Sequence, residues 1–230
     1  MRVTQRSLLD RRQRTAKRLL DLTLAITGLL VLWPVLLLAA ELVRRSSTGP
    51  VLYRHRRIGQ HGREIEVLKF RTMYDSVGPP GMQVTVAGDP RITPIGQRLR
   101  DTKLDELPQL WNVVRGELSL VGPRPDVSGY LDRLGGRAAL LMDERPGITG
   151  AASLCFREEE QLLARFDDPK RSYDEVVYPA KVRIDLEYFE RWALGRDLAL
   201  LVVTVLPAAN RWLHVVPPMP DLEPSGEPHR

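Results

Sequence analysis

Apolar residues dominate one long run near the N-terminus, residues 19–43, and that run predicts the largest element of the chain. Asp21 and Glu41 bracket 19 uncharged positions, residues 22–40. As a helix this stretch would extend about 28 Å, close to the hydrocarbon thickness of a bilayer. Pro34 lies well inside it, where a proline removes a helical hydrogen bond and clashes with the preceding turn, so a break is expected there. Beyond the run the pattern changes to period two. Residues 51–59 and 63–73 alternate apolar and polar side chains around Gln60, His61 and Gly62, which predicts a hairpin. Residues 75–97, rich in proline and glycine, predict a loop. Leu104, Leu107, Leu110, Trp111 and Val114 then recur at helical spacing; because Pro108 suits only a first turn, that helix is expected to start near Asp105. Residues 198–208 are apolar but too short to span a membrane, and read as core or as an interfacial helix lying on a bilayer. The tail from Pro217 repeats proline and predicts no fixed structure.

Charge decides what the long run is for. The chain carries a net +5, but residues 1–18 hold seven basic groups against the single acid Asp10, which leaves the remainder at −1. A nucleic-acid-binding face would need excess positive charge on the folded body, so nucleic acid is excluded as a partner. The basic excess abuts the apolar run instead, as a cytoplasmic membrane anchor does. Arg44, Arg45, Arg54, Arg56 and Arg57 follow the run, placing positive charge on both flanks. A helix that enters the bilayer, bends at Pro34 and leaves by the same face satisfies that distribution. The alternatives are a spanning helix, a signal peptide or a buried soluble helix; for a signal peptide the run is too long and its downstream flank too basic. The single cysteine, Cys155, requires no oxidising compartment. The expected organisation is α/β: a basic tail (1–18), a re-entrant membrane helix (19–43), a small, irregular mixed α/β cytoplasmic domain with interfacial helices (44–208), and a C-terminal tail (209–230).

The candidate chemistry gathers at residues 89–125. Two adjacent carboxylates, Asp105 and Glu106, lie among Arg98, Arg100, Lys103, Arg115 and Arg124. At a helix start, free backbone N–H groups and the macrodipole attract phosphate. The plainer reading makes Asp105 an N-cap and Glu106 a first-turn acid; the surrounding cations, and a Gly-Pro-Arg-Pro turn that holds Arg124 on a rigid backbone, favour a phosphate site. Lys69 and Arg71, two apart on the second strand, would share a face, either to meet one polyanion or as part of a solvated edge strand. Phosphoryl transfer needs a nucleophile, a divalent cation and fixed positive charge, and an Asp-Glu pair can supply the first and hold the second. Other constellations are weak. The four histidines show no metal-ligand spacing, no Walker A or GxGxxG loop occurs, and Glu158 to Glu160 with Asp167 and Asp168 read as solvated faces.

These blocks, KFRTM at 69–73, the 89–125 segment and RPGITG at 145–150, follow the apolar run in an order and spacing that closely resemble the bacterial sugar transferase family, the monotopic polyprenyl-phosphate phosphoglycosyl transferases. The resemblance runs from about Lys17 to about Pro207, and the stretch from 172 to 208 is similar to the family's closing helices. It implies a re-entrant helix; family members often carry Ser before the proline, where Trp33 stands here. It implies that Asp105 is a nucleophile taking a phosphosugar from a UDP-sugar and releasing UMP. Polyprenyl phosphate, of undecaprenyl type, then takes up the phosphosugar. Glu106 is implied to help Asp105 hold Mg²⁺ or to tune it, and Lys69, Arg71, Arg100, Arg124 and Arg145 to contact phosphates. The implied setting is the inner membrane of a bacterium, with the catalytic domain on its cytoplasmic face, at the first membrane step of glycoconjugate or exopolysaccharide assembly. The larger members' extra N-terminal membrane helices, and any regulation they bring, are not expected. Two rival functions stay open: a metal-dependent glycosyltransferase releasing UDP, and a non-catalytic membrane-anchored partner of a polysaccharide-assembly complex. A homo-oligomer is also left open.

Overall fold

The computed structural model describes residues 8–74, 89–127, 130 and 135–220. The start of the basic tail, most of the loop expected at 75–97 and the last ten residues lie outside the described residues. The first helix, α1, runs over Arg11–Ser46, beyond both ends of the apolar run. Asp10 caps it in a reciprocal box: its side chain accepts from the Gln13 backbone N–H while the Gln13 side chain accepts from the Asp10 N–H. The second half of the basic tail is therefore helical. The break expected at Pro34 does not end the helix, because a proline removes only its own N–H bond and the apolar residues on either side keep helical geometry.

Strands β1 (Leu52–Ile58) and β2 (Glu64–Phe70) pair antiparallel, with Tyr53 opposite Lys69. The turn between them uses left-handed backbone at His61 and Gly62. Helix α2 (Pro94–Asp101) corrects the expected loop: Thr93 caps it by accepting from the Gly96 N–H, and Pro94 takes a first-turn position, where its missing N–H costs nothing. Gly96 is required there, since a Cβ would stand 2.1 Å from the Thr72 carbonyl oxygen.

Helix α3 (Gln109–Arg115) starts four residues later than expected. Lys103 turns the chain through left-handed backbone, Leu104–Glu106 form one 3₁₀ turn, and Pro108, with no N–H to donate, separates that turn from the α-helical bonding. Two short parallel strands follow, β3 (Ser119–Val121) and β4 (Gly147–Thr149). Helices α4 (Ala151–Cys155), α5 (Glu159–Leu163) and α6 (Pro169–Ser172) lead through a π-helical turn at Tyr173–Val177 into α7 (Tyr178–Glu190), then α8 (Leu194–Val205). A final turn, α9 (Asn210–Leu213), lies in the expected C-terminal tail.

The main core joins β3, α4, α7 and α8 through Leu118, Val121, Phe156, Phe189 and Leu200, and takes in Ala25 of α1. A smaller cluster packs Ala39 and Val43 of α1 against Phe70 and Leu99. Helix α1 thus touches the body near both ends. At its start Lys17 Nζ pairs with the buried Asp197 of α8 at 2.6 Å, and Asp21 accepts from the Ser119 hydroxyl and the Leu120 N–H. Between these grips Leu30, Val31, Trp33, Leu37 and Leu38 are exposed. Helix α8 divides its surface similarly: Leu200 and Val203 enter the core, while Leu198, Val202 and Val205 face outward. Its stretch is therefore core on one side and open apolar surface on the other.

Candidate active site

The site is built where β2 meets the 3₁₀ turn. Asn112, fully buried on α3, sets their register: its carbamoyl oxygen accepts from the Leu68 N–H at 3.0 Å and its amide donates to the Glu66 carbonyl at 2.7 Å. The same amide donates to Glu117 at 2.6 Å. Strand β2 is thereby held against α3, and Lys69 near the strand's end reaches Glu106, with Nζ to Oε1 at 2.5 Å. Sequence reasoning missed Asn112; its signal was an amide inside an otherwise apolar helical face.

Asp105 is 7% exposed, and its Oδ1 is buried with no hydrogen-bond partner among the described residues. An unpaired buried carboxylate oxygen is costly and poised to receive something. Burial raises the Asp105 pKa, the Glu106 charge raises it further, and Lys69, Lys103 and Arg100 pull against them. For Glu106, burial pushes upward too, but Lys69, Arg124 and Lys103 outweigh it and leave the group below its usual range. The two acids are driven apart, Glu106 held as the anion and Asp105 the more basic of the pair.

Around them stand Arg100, whose Nε donates to the Thr72 hydroxyl at 2.9 Å, and Arg124, exposed and held between Pro123 and Pro125. Arg124 makes no hydrogen bond or ion pair among the described residues, yet its charge acts on Glu106 and on Asp126. The two glycine turns fix it. The Gly122 N–H donates to the Thr149 carbonyl and the Gly147 N–H to the Pro123 carbonyl, and a Cβ on Gly147 would lie 2.1 Å from the Gly122 nitrogen.

Two expected phosphate contacts stand elsewhere. Arg71 lies beyond the end of β2, and its buried guanidinium donates to the Ser47 hydroxyl, the Ser47 carbonyl and the Pro50 carbonyl, tying the exit of α1 to the site strand. It does not share an open face with Lys69. Arg145 donates to the Gly116 carbonyl at the end of α3 and lines a separate cavity with Arg14, Lys17 and Glu144. Of the acids expected to be solvated, Asp167 and Asp168 are exposed, Asp168 also capping α6, whereas Glu159 is half-buried and pairs with Lys181 at 2.5 Å. Glu158 is exposed, and the Glu160 side chain lies outside the described residues. Among the described residues no three His, Cys, Asp or Glu side chains gather as a metal site. Burial pushes the Cys155 thiol up to about 11, which makes it inert at neutral pH.

Beside Arg124 opens a cleft lined by Pro123, Asp126, Pro146, Tyr178, Lys181 and Asp185 among others. The Asp126 backbone carbonyl accepts from the Ile58 N–H at 2.9 Å, which docks the cleft wall on the end of β1.

Residues 12–211 match the bacterial sugar transferase family. The chain is 36% identical over 205 residues to the exopolysaccharide production protein ExoY of Rhizobium meliloti, covering 83% of this chain and 84% of that protein. It is 37% identical over 194 residues to the UDP-glucose:undecaprenyl-phosphate glucose-1-phosphate transferase of Caulobacter vibrioides, with 82% and 68% covered. With the Escherichia coli protein of the same description it shares 36% identity over 204 residues, 84% of this chain and 40% of that longer protein. A match across nearly the whole chain, together with the Asp-Glu pair set against Lys69, leads to one conclusion: the protein belongs to the bacterial sugar transferase family.

Proposed function

We propose that this protein is a phosphoglycosyl transferase that moves a sugar 1-phosphate from a UDP-sugar to a polyprenyl phosphate. The observation that carries the reading is the buried, unpartnered Oδ1 of Asp105 beside a glutamate already neutralised by lysine. Asp105 attacks the phosphorus that bears the sugar, an Asp–phosphosugar bond forms, and the bond to the UMP oxygen breaks, its electron pair leaving with UMP. A polyprenyl phosphate oxygen then attacks the same phosphorus and returns the Asp105 carboxylate, giving polyprenyl-diphosphate-sugar. Lys69, Arg100 and Arg124 offset the charge of the diphosphate; Arg71 and Arg145 support the frame.

The donor set fits Mg²⁺, which typically takes one or two carboxylates and completes its shell with substrate phosphates. Asp105 and Glu106 are the residues that would hold it. When bound, the ion neutralises phosphate oxygens.

The anchor reading draws support from α1. Lys17 and Val43 are 26 residues apart, about 39 Å along a straight helix, yet both contact one body. A helix standing across a bilayer would put those ends on opposite faces. We therefore place α1 in the inner membrane as a re-entrant element, with the body on the cytoplasmic face and the outer faces of α1 and α8 against lipid.

The test is a panel of UDP-sugars, led by UDP-glucose and UDP-galactose, with undecaprenyl phosphate and Mg²⁺, assayed for UMP. UMP release is expected. Release of UDP instead would point to a glycosyltransferase, and no nucleotide release to a non-catalytic partner.

A further inference from the structure

The cleft beside Arg124 is not needed for phosphoryl transfer between Asp105 and a lipid phosphate, and its lining still has to be accounted for. Asp126 is half-buried there. Its Oδ2 accepts from the Tyr178 hydroxyl at 2.9 Å, while its Oδ1 takes no hydrogen bond among the described residues. Lys181, on the next turn of α7, lines the same cleft and is held by Glu159 at 2.5 Å. Asp185, one turn further, accepts from the Ala152 N–H. Opposite polar groups therefore stand at fixed positions in a cleft whose other walls are rigid and apolar, Pro123 and Pro146.

Carboxylate, ammonium and phenol groups beside apolar walls are the chemistry that takes up a polyol: the carboxylate accepts from hydroxyls, the ammonium donates to them, and the apolar walls meet the C–H faces of the ring. The connection to the reaction runs through one residue. Arg124 lines this cleft and acts on Glu106, so on the proposed reading a diphosphate held by Arg124 places its next covalent neighbour at the mouth of the cleft. In a nucleotide-sugar that neighbour carries vicinal hydroxyls on either side, as hexose or as ribose.

We infer that the cleft formed by Arg124, Asp126, Tyr178 and Lys181 is the polyol subsite for the donor, with Asp126 as the acceptor for its ring hydroxyls. The inference rests on the proposed transferase reading and adds the residues that recognise the donor.

The experiment compares the full chain with its Asp126→Asn variant in lipid nanodiscs. Asparagine keeps an acceptor for Tyr178 and replaces the free acceptor with a donor. If the cleft holds the hexose, the ratio of kcat/KM between UDP-glucose and UDP-galactose shifts about tenfold or more while the inhibition constant of UMP stays the same. If it holds the ribose, the UMP constant weakens about tenfold, 2′-deoxy-UMP binds wild type and variant alike, and the sugar ratio is unchanged. Either result supports the subsite. Both quantities staying within twofold overturns it. Lys181→Gln repeats the measurement from the donor side, so a poorly folded Asp126 variant does not leave the question without an answer. Failure of the transferase reading shows separately, as absence of UMP release by the wild type. In that case calorimetric binding of UMP and UDP-glucose to wild type and variant still reads the cleft, and equal binding overturns it.

Discussion

At the scale of single residues, the pair Asp105 and Glu106 is defined by what each lacks. Asp105 lacks a partner for Oδ1, and Glu106 lacks freedom because Lys69 holds it. Asp105→Asn keeps the size and removes the charge, so turnover should fall by several orders of magnitude while thermal unfolding is unchanged or slightly later. A variant keeping more than about a tenth of the activity would exclude covalent catalysis through Asp105. Lys69→Met removes a charge that lowers the pKa of both acids. The acidic limb of kcat/KM should therefore move to higher pH; a limb that stays in place would show that Asp105 does not control it. Asp185 gives a stability test. Burial raises its pKa from 3.8 to about 7, so the folded state holds an extra proton between those values. That contribution is complete below about pH 4 and is lost as pH rises through about 7. Asp185→Asn, which can still accept from the Ala152 N–H, should gain over wild type across this window by an order of a few kcal/mol, read as a flatter Tm against pH.

At the scale of elements, the decisive contacts fasten one element to another. Lys17 and Asp197 join α1 to α8 in a buried pair that Tyr188 and Trp192 also serve, each donating to Asp197. Lys17→Met leaves that carboxylate without its cation and should cost about 3 kcal/mol, with much of the loss recovered by adding Asp197→Asn. Gly147→Ala drives a methyl into the Gly122 backbone and should cost about 1–3 kcal/mol while weakening donor use through Arg124. The topology of α1 is read by Gln5→Cys and Arg63→Cys, each in a background with Cys155 replaced. Both should be labelled only from the cytoplasmic side, and labelling of residue 5 from outside would defeat the re-entrant placement. The hairpin and the apolar helix were legible from periodicity, because each buries or exposes whole faces of regular elements. The start of α3 was not, because Lys103 adopts left-handed backbone without being glycine, and such a turn has no hydrophobic period. The positions of Arg71 and Arg145 were illegible for a related reason. Spacing along a strand or loop places a Cα, but carbonyl acceptors from distant turns, Pro50 and Gly116, decide where a guanidinium ends.

At the scale of the whole molecule, apolar side chains left open on α1 and α8 are joined by Trp212 of α9, 80% exposed. Surface of this extent on a folded body calls for a nonaqueous neighbour. Val205→Glu changes a residue that is 78% exposed and so should leave folding intact. It should instead weaken retention on vesicles and slow transfer to a vesicle-borne acceptor more than to a short, water-soluble one. Equal effects on both acceptors would separate this face from the bilayer. The double grip of α1 on the body also bears on how the enzyme can be handled. Cutting the chain after Ser46 to obtain a water-soluble catalytic fragment would strip the Leu120 N–H and the Ser119 hydroxyl of an acceptor, strand Asp197 without its cation, and uncover the core beside Ala25. Such a fragment is expected to aggregate rather than work, which makes the anchor a structural wall of the catalytic unit and not a detachable tether.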